Sequence, residues 1–150
     1  MSVTAVDQLY ALYPQVHRQI LTLGEINRYL SELPFQLSKE FYDLYLSTNG
    51  FDRVIQFFGF GKFYCLSEAI ETYRACISER GYRANWFPLM AHEESLFIVV
   101  GSSQQEIVSP VFRIFPDDFE LYATGNSEPR LHFPSLTELL LEEVQSYLRD

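Results

Sequence analysis

The chain has 150 residues, 47% of them hydrophobic and 16% aromatic, a composition that excludes disorder, because disordered chains are poor in aromatics. One domain of this length buries about 68–70% of its unfolded surface, so a core needs neither disulfides nor metal. With 20 acidic and 11 basic residues the net charge is −9. That excludes nucleic acid as a partner, since phosphate binding needs Lys and Arg to release counterions, whereas a basic protein would be steered in.

In chain order, the first third reads as helix. Thr4 and Asp7 form an expected capping box, and Val6, Leu9, Tyr10 and Tyr13 recur at helical spacing up to Pro14. A short apolar segment with Val16, Ile20 and Leu23 follows. Thr22 and Glu25 repeat the box, continued by Ile26, Tyr29, Leu30 and Leu33. Pro34 turns the chain. Ser38 is the expected cap of a helix with Phe41, Leu44 and Tyr45 inward, ended by Asn49-Gly50 with Gly50 left-handed at the position after the cap.

The period then shifts to two. Residues 53–60 (RVIQFFGF) read as a strand, with Gly59 or Gly61 marking a turn and residues 62–65 as its short partner. Ser67 is the expected cap of a helix reaching Arg80. Its stripe is Ala69, Ile70, Tyr73, Ile77 and Cys76, and Gly81 stops it. Strands are expected at 86–90, 96–100, 108–115 and 119–124, the last with Phe119, Leu121 and Ala123 alternating with polar positions. Turns fall at 92–95, 101–105 and 116–118. Pro110 makes its strand an edge or starts it later. After a polar loop at 125–129, Ser135 and Glu138 cap a final helix that buries Leu139, Leu140, Val144, Tyr147 and Leu148. The sum is a single α+β domain over 1–150: a mainly antiparallel sheet flanked by N-terminal helices, one mid-chain helix and a C-terminal helix.

The residues offer little chemistry. His17, His92 and His132 fall in separate elements without the spacing of metal ligands. His92-Glu93-Glu94 reads as a solvated turn, and Asp117-Asp118 lacks the repeat of acidic ligands that a hard cation needs. Gly59-Phe60-Gly61-Lys62 is too short for a phosphate loop, and no GxSxG elbow occurs. Cys65 and Cys76 read as small core hydrophobes of a reducing compartment. No signal-peptide pattern opens the chain, and no apolar run approaches the ~20 residues that span a bilayer; the expected location is the cytoplasm. Catalytic residues, metal and cofactor are all expected to be absent.

One resemblance stands out. Leu33-Pro34, the helix around Phe41 to Leu46 and Asn49-Gly50 resemble the N-terminal signature of the SUKH superfamily, which includes fungal cell-wall assembly regulators and bacterial immunity proteins. Trp86-Phe87-Pro88-Leu89-Met90-Ala91 is similar to its Trp/Phe-x-Pro-Ile-Ala strand, and residues 134–140 (PSLTELL) to its terminal helix. The chain departs from the family where a Gly/Asp-rich turn usually follows that strand, having His92-Glu93-Glu94-Ser95 instead. The resemblance implies a non-catalytic protein-binding domain, foremost an immunity protein that neutralises a cognate toxin such as a nuclease. The alternatives are a regulatory or scaffold domain, and a small-molecule-binding domain or enzyme with an aromatic pocket near Phe57, Phe58, Trp86 and Tyr122. For a basic toxin partner, the expected contacts are Asp52, Glu93, Glu94, Asp117, Asp118 and Glu120, with Tyr122 as an aromatic anchor.

Overall fold

The computed structural model describes residues 2–149. Helix α1, Ser2–Ala11, buries Ala5, Val6, Leu9 and Tyr10 along one stripe. The expected Thr4–Asp7 box does not form, because Thr4 already lies inside the helix; Asp7 pairs instead with Arg18 at 2.9 Å. In the irregular stretch that follows, Leu21 is buried while Ile20 is exposed, as is Leu23 at the start of the next helix. Helix α2, Leu23–Leu30, opens on the expected box: the Glu25 N–H donates to Thr22 Oγ1 at 3.1 Å and the Thr22 N–H to Glu25 Oε1 at 3.0 Å. The Thr22 backbone N–H foremost, then the Thr22 hydroxyl, hold the Glu25 carboxyl below its ordinary range. Thr22→Ala should therefore cost about 1 kcal/mol in urea denaturation; unchanged stability would show the box to be idle.

Helix α3, Lys39–Ser47, is capped by Ser38, whose Oγ accepts the Phe41 N–H at 3.0 Å. Phe41, Leu44 and Tyr45 are fully buried on its inner face, as expected, with Phe41 stacked on Tyr45 at 4.6 Å. The helix is capped at Thr48, one residue earlier than a left-handed Gly50 directly after the cap would require. Gly50 nonetheless adopts φ 68°.

Residues 53–60 do not form the expected strand. They run as consecutive turns, closed by a bridge in which the Phe57 N–H donates to the Gly61 carbonyl at 2.9 Å. The reason is tertiary. Ile55 and Phe57 are fully buried, and Phe57 meets the rings of Phe51 and Phe63 at 5.0 and 5.1 Å. Positive φ at Phe58 and Gly59 then turns the chain back. The short strand expected next exists as β1, Lys62–Phe63, but pairs with a later strand.

Helix α4, Leu66–Cys76, starts after Cys65 rather than at Ser67 and stops before Arg80. Its first free N–H, on Leu66, is taken by the Asn49 side chain at 2.8 Å, which makes a serine cap unnecessary. Ala69, Ile70 and Tyr73 are buried, but Ile77 lies beyond the helix body and is exposed. Gly81 has φ 94° in the turn that follows the helix. Cys65 and Cys76 are free thiols, and burial pushes that of Cys76 up.

The sheet is an antiparallel meander in the order β1-β2-β3-β4-β5. Strands β2 (Trp86–His92) and β3 (Ser95–Val100) form a hairpin across Glu93-Glu94, with a bulge near Pro88. Glu93 takes φ 55°, as a two-residue hairpin turn requires. Strand β4, Val111–Ile114, begins just after Pro110, in line with proline's missing donor.

Residues 119–124 are helical, not extended: a 3₁₀ turn, Pro116–Asp118, leads into α5, Phe119–Thr124. Phe119 and Tyr122 are its buried pair, while Leu121, expected inward, is exposed. An i, i+3 pair docks on Tyr82 and Trp86, at 5.7 Å in both contacts, which no alternating strand would achieve. Gly125 at φ 75° closes α5, donating to the Tyr122 carbonyl. Strand β5, Arg130–Phe133, has no counterpart in the sequence reading.

Helix α6, Leu136–Arg149, begins where Ser135 Oγ accepts the Glu138 N–H at 3.1 Å. Leu139, Leu140 and Val144 are buried, but Tyr147 and Leu148, expected in the core, are 43% and 66% exposed. Helix α1 packs on α3 and α6, and α4 on β2. Together the helices and sheet make the expected α+β domain, with an aromatic core between them.

Candidate functional site

Strand register determines which turns share an end of the molecule. Lys62 pairs with Ala91, His92 with Ser95, Leu96 with Ile114, and Arg113 with Arg130. One end of the sheet therefore gathers the 58–60 turn, the β2–β3 turn, the 115–118 turn and the start of β5. Glu93, Glu94 and Asp117 are exposed there and Asp118 is half-buried. None of the four is ion-paired among the described residues. Four of the six acidic contacts expected from the sequence thus share one rim.

The other three expected contacts lie apart. Asp52 is exposed but belongs to a different hollow, beside Tyr10, His17 and Asn49, where its Oδ1 accepts the Val54 N–H at 2.9 Å. Glu120, on α5, is engaged by Arg80. Tyr122 is only 5% exposed, its ring against Trp86 and its hydroxyl accepting the Phe115 N–H at 3.0 Å. Tyr122 is therefore a packing residue, and burial raises its pKa. The aromatic pocket expected near Phe57, Phe58, Trp86 and Tyr122 does not form either. Phe57 and Trp86 are buried in the core; Phe58 lines one groove, while Trp86 edges a separate hollow beside Arg83 and Phe112.

That groove, about 450 Å³, opens beside the acidic rim. Its floor is Phe97, flanked by His132 at 5.2 Å and His92 at 6.2 Å between ring centres. Phe58 and Phe133 lie nearly parallel, 5.9 Å apart, along one wall. Arg113 enters from β4. Its Nε donates to Ser95 Oγ at 2.7 Å, its Nη2 lies 3.5 Å from His92 Nδ1, and its plane sits over the rings of Phe97 and Phe115. Burial first, then the positive charges of Arg113 and Arg130 and the nearby His92, hold the His132 imidazole below its ordinary pKa. Glu142 of α6, paired with Arg149 at 3.1 Å, also lines the groove.

Sequence reasoning missed this groove. His92 and His132 are 40 positions apart, and no spacing rule connects them; only the β2–β3–β4–β5 pairing does. Arg113 gave one faint signal, a cation inside the run Val111–Ile114 of an otherwise apolar strand.

Among the described residues no group of three or more His, Cys, Asp or Glu side chains is arranged to hold a metal ion, and no helix is long and apolar enough to cross a membrane. No protein-family model matches the chain, and no curated protein matches it.

Proposed function

We propose that this domain works by binding a basic protein, as an immunity protein of the SUKH type would, with the acidic end of the sheet as the contact face. The reading is supported above all by the four carboxylates of Glu93, Glu94, Asp117 and Asp118, which share that end without cationic partners among the described residues. Rigid hairpin and 3₁₀ turns carry them, so little order is lost on association. The net charge of −9 extends the attraction beyond contact range. A toxin nuclease with a cleft built for phosphates would meet a surface that imitates its substrate's charge.

The experiment is a capture of the protein encoded beside this one, followed by stopped-flow association at increasing salt. The on-rate should fall by about tenfold or more from low to high ionic strength. Reversing the three exposed carboxylates, Glu93, Glu94 and Asp117, to lysine should slow association as strongly while leaving thermal unfolding nearly unchanged, because exposed unpaired charges contribute little to stability. A tight complex whose on-rate ignores both salt and the reversal would place the contact face elsewhere.

A further inference from the structure

We propose that the groove beside this rim binds a small organic monocarboxylate with a flat apolar body, Arg113 taking the carboxylate and the rings of Phe58, Phe97 and Phe133 taking the body. The inference is independent of the protein-binding reading and rests on different residues.

Arg113 is the anomaly. Among the described residues, six of the 11 basic side chains form ion pairs, namely Arg18, Lys62, Arg74, Arg80, Arg83 and Arg149. The unpaired Lys39, Arg28, Arg53 and Arg130 are exposed and need no partner. Arg113 alone is half-buried with no carboxylate within 4.0 Å among the described residues. A cation withdrawn from water without a counter-charge costs free energy, and in a chain of net charge −9 a carboxylate was the commonest charged side chain available.

The guanidinium is also held in place. Ser95 Oγ anchors Nε at 2.7 Å, while the guanidinium carbon lies over the rings of Phe97 and Phe115, at 5.5 and 5.0 Å from their centres. Its Nη1 meets no protein acceptor among the described residues, so an outer edge is left to the groove. A planar fork held at Nε and with a free nitrogen suits a carboxylate.

The walls specify the rest. Phe58, Phe97 and Phe133 line the groove with aromatic surface, and a volume of about 450 Å³ suits a small ring-bearing molecule. Glu142, which also lines the groove, would repel a second negative charge, which favours a monoanion over phosphate. His92 and His132 frame the Arg113 edge and can report on it.

The test is a titration of the full chain with phenylacetate, followed by NMR of the His92 and His132 imidazoles. Saturable shifts are expected, and the His132 titration midpoint should rise on saturation. The bound carboxylate would offset the field of Arg113 and Arg130, while His92 and Glu142, the other titratable groups facing the groove, stay in place. Uncharged phenylacetamide should bind about tenfold more weakly or worse, and Arg113→Gln should lose at least as much, because a charge-assisted bidentate contact is removed. Arg113→Lys should fall between, keeping the charge without the fork.

No saturable shift with phenylacetate, or equal binding of phenylacetamide, would overturn the assignment. Inorganic phosphate binding as well as phenylacetate would overturn the flat-bodied ligand class. Should Arg113→Gln fail to fold, the comparison of phenylacetate with phenylacetamide on the unaltered chain decides by itself.

Discussion

Glu40→Ala should lower stability by about 3–5 kcal/mol, among the largest losses for any single side chain here. Glu40 is only 8% exposed, yet no cation meets it among the described residues. Its carboxylate is satisfied instead by four donors. Oε1 accepts the N–H of Ser109 at 3.0 Å and of Leu136 at 2.9 Å; Oε2 accepts the N–H of Thr137 at 3.1 Å and its hydroxyl at 2.7 Å. Helix α3 thereby supplies an anion to the N-terminus of α6, where unpaired N–H groups and the helix dipole favour negative charge.

Alanine would leave two buried backbone N–H groups without acceptors, at about 1–3 kcal/mol each. For a domain of this size the melting temperature should drop by roughly 10 °C. The nearly isosteric Glu40→Gln should cost less but not nothing, because its amide nitrogen would face a donor at either oxygen position. Calorimetry of both variants checks this. A loss below about 1 kcal/mol for alanine would mean that α6 is held by its apolar face alone.

Gly50→Ala should be comparably damaging, for a steric reason. A Cβ on Gly50 would lie 2.3 Å from the Tyr64 carbonyl oxygen and 2.5 Å from the Cys65 nitrogen, both of them backbone atoms. The left-handed conformation adds roughly 1–2 kcal/mol for any residue with a Cβ. Relief would require the chain to move at the start of α4, where Asn49 Oδ1 holds the Leu66 N–H. The total should exceed about 3 kcal/mol.

Gly125→Ala is the control. Its φ of 75° is similar, but a Cβ there meets nothing within 4 Å. That variant should lose only the conformational share, roughly 1–2 kcal/mol. Urea denaturation of the pair separates the two contributions, and equal losses would mean that the close approach to Tyr64 relaxes at no cost.

These two positions also show what a local reading conveys. Asn49-Gly50 is legible as a helix stop, but its tertiary work is not: Asn49 caps the next helix and Gly50 admits its backbone. Ser135 is likewise legible as the cap of α6, whereas the main anion at that terminus, Glu40, comes from 96 residues earlier. The acidic rim was half-visible, since the turns at 92–95 and 116–118 announce themselves by composition. That they share one end of the sheet follows only from the strand order.

By itself the sequence determined the α+β class, the caps at Thr22, Ser38 and Ser135, the two strands either side of the Glu93-Glu94 turn and the acidic balance of charge. Each depends on groups within a few residues of one another, where hydrogen-bond geometry and steric limits act directly. Only the tertiary structure decided that 53–60 turns rather than extends, that 119–124 coils, that Tyr122 is buried and that β5 exists. Short apolar runs satisfy either period, so burial against Phe51 and Phe63 in one case, and Tyr82 and Trp86 in the other, settled the conformation. The groove around Arg113 belongs to the same group, because four strands must pair before its walls meet.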